Sequence, residues 1–129
     1  MPVELNHTIV NVSDRKAAAE WVSRILGVDP PRRYGPFYGV DLANGVQLDF
    51  ADGETDDVRP GHYAFLVTEA EFDQIYGRIV DENISHWADP AASRPGEINH
   101  NDGGRGVYFE GPDGHYLEVI TRPYGRGSA

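Results

Sequence analysis

The chain has 129 residues, no cysteine, 40% apolar residues and a net charge of −10. That length fits one compact domain with a core, and the missing thiols exclude disulfides, thiolate metal sites and a cysteine nucleophile. Acidity disfavours nucleic acid as a partner, no apolar run nears the ~18 residues of a membrane span, and the N-terminus lacks a basic-then-apolar leader, so the expected setting is the cytoplasm, away from membranes.

Residues 5–12 are rich in β-branched side chains and read as a strand. Ser13 is placed to cap the following helix, whose apolar face is Ala18, Trp21, Val22, Ile25 and Leu26. Gly27 ends that helix and Pro30-Pro31 prevents its renewal. Residues 36–43 and 46–50 read as strands joined by Asn44-Gly45, a strong hairpin signal. A polar linker follows over 53–60.

The same order then begins again. Residues 62–67 read as a strand, and Thr68-Glu69-Ala70-Glu71 is a capping box. Phe72, Ile75, Tyr76, Ile79 and Val80 form the apolar face of a second helix. A short strand at 86–88, a long polar loop over 89–105 and strands at 106–110 and 116–121 complete the series, with Pro112-Asp113-Gly114 as the last turn. The tail, 123–129, reads as loose. His7 and His62 are 55 residues apart, and so are Ser13 and Thr68. We therefore expect an α+β fold of two tandem βαβββ modules, about 4–52 and 61–122, forming a cupped mixed β-sheet with the helices outside, within a single domain spanning 1–129.

His7 and His62 each stand near the start of the first strand of a module. The closing strand of the first module carries Gln47 and Asp49 on one face, and that of the second carries Glu118, opposite in facing to Leu117 and Val119. A carboxylate facing into a cupped sheet is costly unless it is paired or bound to metal. Two imidazoles and a carboxylate converging there match a divalent-metal facial site. Tyr108 is a candidate donor to a developing oxyanion, and His100 lies on a loop able to close over a pocket. Arg105, Arg122 and Tyr124 are rim candidates for an anionic substrate group, while His115, after the turn glycine, reads as exposed.

Leu5-Asn6-His7-Thr8, Gly61-His62-Tyr63-Ala64 and the stretch Phe109-Glu110-Gly111-Pro112-Asp113-Gly114-His115-Tyr116-Leu117-Glu118 together resemble the vicinal-oxygen-chelate superfamily. That superfamily includes glyoxalase I, type I extradiol dioxygenases, fosfomycin-resistance enzymes and bleomycin-binding proteins. Gly111 stands where the family usually has Asp, a departure that bears on the turn and not on the metal. The resemblance implies one divalent ion (Fe, Mn, Ni or Zn) held by His7, His62 and Glu118, with Gln47 or Asp49 as a fourth ligand according to strand register. It implies a metal-dependent enzyme of glyoxalase or dioxygenase type, acting on a small molecule that chelates the metal through vicinal oxygens. The alternative it leaves is an antibiotic-binding or thiol-transferase resistance protein. A homodimer is also implied, with the site inside one chain or shared between two.

Overall fold

The repeat is written in the backbone hydrogen bonding. The computed structural model describes residues 2–53 and 58–125. The chain divides into two units, Met1–Arg59 and Pro60–Ala129. The first runs β1 (His7–Val12), α1 (Arg15–Leu26), β2 (Arg32–Tyr34), β3 (Phe37–Asp41), β4 (Gln47–Asp52), and the second runs β5 (His62–Leu66), α2 (Glu69–Asp81), β6 (His86–Trp87), β7 (Gly106–Glu110), β8 (Tyr116–Ile120). The sheets are ordered β1-β4-β3-β2 and β5-β8-β7-β6. In each, the first strand pairs parallel with the last and the remaining pairs are antiparallel. The fold is thus α+β, two βαβββ modules, as the sequence implies. Residues 54–57 of the expected linker and 126–129 of the expected tail lie outside the described residues.

Alternation sorts each sheet into two faces. In the first module Val10, Leu48, Phe50 and Val40 are buried and share a face by register. Helix α1 packs on β1, β3 and β4 and buries Ala18, Ala19, Val22 and Ile25. In the second module Leu117, Val119, Val107 and Phe109 are the buried counterparts, and α2 buries Phe72, Ile75 and Ile79. The opposite faces carry His7, Gln47 and Asp49 in one module and His62, Glu118 and Tyr108 in the other.

The helix ends follow their chemistry, with one correction. Thr68 and Glu71 form the capping box in both directions, at 2.8 and 3.1 Å. In α1 the cap is Asp14, not Ser13: the Asp14 carboxylate accepts from the Ala17 amide at 3.1 Å, and Asp52 takes the Arg15 amide at 2.9 Å. A carboxylate satisfies these first-turn N–H groups with a charge the helix dipole favours. Gly27 closes α1 in the left-handed conformation, φ 73°, which costs a glycine nothing. Strand β2 is the strand that the βαβββ order requires but that no segment of the first module marks. Its Arg-Arg-Tyr residues are all exposed, so no apolar alternation marks it.

Candidate functional site

Glu118 is the most unusual side chain of the second module. It lies on the sheet face opposite Leu117 and Val119, yet only 1% of it is exposed. β5 and β7 flank it: Ala64 and Tyr108 pair with it across the two ladders. His62, two residues before Ala64, therefore stands diagonal to it on the same face. The geometry brings them together, with His62 Nε2 3.1 Å from Glu118 Oε1. The Tyr124 hydroxyl donates to the other oxygen, Oε2, and lies 3.3 Å from the Tyr108 hydroxyl. The Tyr108 ring stacks against the His62 imidazole at 5.9 Å between centroids.

The electrostatics are those of a desolvated acid among an imidazole and two phenols. Among the described residues Glu118 pairs with His62 and with no Lys or Arg. Burial raises the Tyr124 phenol well above its ordinary range, and the hydrogen bond to Glu118 adds to the shift. Burial also raises Tyr108. Both are thus protonated donors at neutral pH. A carboxylate removed from water with no Lys or Arg beside it among the described residues remains short of positive charge. Carboxylate oxygen beside imidazole nitrogen is also the donor chemistry of a divalent-metal site. Two donors of that chemistry, His62 and Glu118, stand together here.

The first module holds the matching positions. His7 pairs with Gln47 and Ile9 with Asp49, so Asp49, and not Gln47, is the register equivalent of Glu118. Gln47 donates to Asp41 at 2.9 Å. Asp49 is 9% exposed, and its Oδ1 has no hydrogen-bond partner among the described residues. It turns over Gly39, which fills the place that Tyr108 has in the second module. A Cβ on Gly39 would come within 3.1 Å of that Oδ1. His7 is exposed, with Nδ1 2.7 Å from Asn6 Oδ1. Among the described residues no three His, Asp or Glu side chains gather into a metal-holding group.

Other sequence candidates fall outside the cluster. His100 is exposed at the head of the turn Asn101–Gly103 and takes no part in the hydrogen bonding around Glu118. Arg105 is committed to Glu69 and Asp73, each at 2.8 Å, and lies over the Phe72 ring, so it ties β7 to α2. His115 is 3% exposed, not exposed as its turn position implied. Its Nδ1 accepts from the Gly61 amide at 2.7 Å, which anchors the residue preceding His62. Tyr124, considered only as a rim residue, is a direct partner of Glu118. Its position past the last strand gives no local signal of that contact.

A model of the Glyoxalase/Bleomycin resistance protein/Dioxygenase superfamily matches residues 4–119. Among solved structures, Oxidase ChaP-H1 is 58% identical, covering 96% of this chain and 99% of that one at a TM-score of 0.94. Oxidase ChaP-H2 is 56% identical, covering 97% and 98% at a TM-score of 0.93. Among curated proteins, Metallothiol transferase FosB of Shouchella clausii is 27% identical over 124 residues, covering 91% of this chain and 79% of that one.

Proposed function

Since the chain belongs to the Glyoxalase/Bleomycin resistance protein/Dioxygenase superfamily, we propose that it is a metal-dependent oxidase acting on a small molecule with two neighbouring oxygens. That it is an enzyme follows from its relatives, which include oxidases and a metallothiol transferase. The observation that carries the rest is the buried Glu118 carboxylate, with Oε1 3.1 Å from His62 Nε2 and no Lys or Arg partner among the described residues. His62 and Glu118 are two ligands, and the family resemblance supplies His7, from this chain or from a second copy, as the third. The oxidase relatives favour Fe²⁺ or Mn²⁺ over Ni²⁺ or Zn²⁺.

When bound, such an ion polarises the chelating oxygens and stabilises the negative charge that develops on them. The protein does the rest. Tyr124 donates to Glu118 Oε2, and Tyr108, 3.3 Å from the Tyr124 hydroxyl and stacked on His62, orients the pair. The resemblance also offers Asp49, whose Oδ1 has no hydrogen-bond partner among the described residues, as an ion ligand or the base that takes a substrate proton. Tyr108, 8% exposed and paired across the ladder with Glu118, helps keep water from that carboxylate. The enzyme works as a homodimer. Ile9 on the His7 face, and Leu66 and Tyr116 on the His62 face, are 46–62% exposed, apolar surface of the kind that a second copy covers. Among the described residues no helix is long and apolar enough to cross a membrane.

The test is oxygen uptake by protein loaded anaerobically with Fe²⁺ and then given catechols and other vicinal-oxygen compounds. Substrate-dependent uptake that disappears in Glu118→Ala supports the oxidase. Isomerisation of a hemithioacetal by Ni²⁺-loaded protein without oxygen uptake would make it a glyoxalase. Thiol addition to an epoxide would align it with the metallothiol transferase.

A further inference from the structure

The two oxygens of Glu118 are not equivalent. Oε1 faces His62 Nε2 at 3.1 Å, while Oε2 accepts from the Tyr124 hydroxyl. A phenol has one proton, so Tyr124 spends it on Oε2, and in its 3.3 Å contact with Tyr108 the Tyr108 hydroxyl is the donor. The result is a directed series, Tyr108 to Tyr124 to Glu118 Oε2.

Tyr124 lies beyond β8, and the structure holds it there from the outside. The Gly125 amide donates to Asp102 Oδ1 at 3.2 Å. Thr121 and Arg105 exchange two bonds, the Thr121 amide to the Arg105 carbonyl at 2.9 Å and the Arg105 amide to Thr121 Oγ1 at 2.8 Å. Asp102 itself sits at φ 56°, a left-handed conformation that a non-glycine residue takes up only when its surroundings hold it there. The turn Asn101–Gly103 thus fixes the segment that carries Tyr124.

We propose that Tyr124 is a positioning residue of the metal site: by holding Oε2 it leaves Oε1 as the one ligand atom of Glu118 and keeps that carboxylate monodentate. A carboxylate free to rotate offers both oxygens to an ion and fills a further coordination position. A monodentate Glu118 leaves that position to the two substrate oxygens. The inference rests on the metal site proposed above and adds to it a residue outside both modules' strands.

The test uses Co²⁺, whose visible absorption reports coordination number, on wild type, Tyr124→Phe and Asp102→Ala. Removing the phenol hydroxyl should weaken Co²⁺ affinity about 10–100-fold, as loss of a ligand's hydrogen-bond partner does. It should also change the intensity and shape of the Co²⁺ bands, a change that a purely structural role would not produce. Asp102→Ala, which cuts the tether of the segment and leaves every group at Glu118 in place, should shift both readouts in the same direction by less. Unchanged affinity and spectrum in Tyr124→Phe would overturn the role of Tyr124 while leaving the metal site standing. Failure of wild type to bind Co²⁺ would instead remove the metal site, and this inference with it.

Discussion

Glu118→Met should make the metal-free protein more stable while destroying its site. The carboxylate is 1% exposed, so folding strips nearly all its water. In return it has one contact with His62 and one with Tyr124. Methionine has similar length and volume and no charge to desolvate. The partners left behind are not stranded: half of the His62 side chain is exposed and rehydrates, and the Tyr124 hydroxyl retains Tyr108. Replacement of a buried ion pair by apolar atoms of like volume is commonly neutral to stabilising by ~1–4 kcal/mol. Here one partner remains half in water, so a gain of about 1–3 kcal/mol is expected, or roughly 4–12 °C in Tm for a chain of this size. The assay is thermal unfolding in a chelator, wild type against variant at neutral pH. A carboxylate kept where methionine would be steadier marks a residue retained for function. A loss of about 3 kcal/mol or more, the usual cost of breaking a buried pair, would refute the reasoning and make Glu118 a structural residue.

Further outcomes follow from the same geometry. Thr68→Ala removes one half of the α2 capping box and should lower stability by about 1 kcal/mol, read from urea midpoints, with Thr68→Ser near wild type. Gly39→Ala puts a Cβ 2.8 Å from Gln47 Nε2 and 3.1 Å from Asp49 Oδ1. Gln47 must then leave Asp41, at about 1 kcal/mol or more, and the urea midpoint should fall accordingly. Tyr108 and Tyr124 have raised phenol pKa values, so they contribute stability in full below the unfolded value near 10 and lose it as pH rises through the folded value. Stability should therefore decline above about pH 10, and Tyr124→Phe should flatten that decline.

What the sequence made legible is what local physics controls. Apolar spacing marked both helices, Asn44-Gly45 and Pro112-Asp113-Gly114 marked turns, and the capping box named the first residues of α2. Glu118 was legible because Leu117 and Val119 fix its facing by alternation. Choosing between Gln47 and Asp49 was not, because residues two apart share a face and only the pairing of β1 with β4 sets which matches Glu118. Asp14 displaced Ser13 as cap because both residue types suit that place and backbone geometry decides between them. The burial of His115 and the contact of Tyr124 with Glu118 are long-range events, set by Gly61 and by the Asp102 turn. No window of neighbouring residues encodes them.

The most direct measurement is metal content, by elemental analysis of protein purified without a histidine tag, comparing wild type with His62→Ala. The account predicts close to one equivalent of Fe or Mn per chain, lost in the variant. No metal in either protein, even after reconstitution, would contradict it and leave the buried Glu118 without the cation that its surroundings lack.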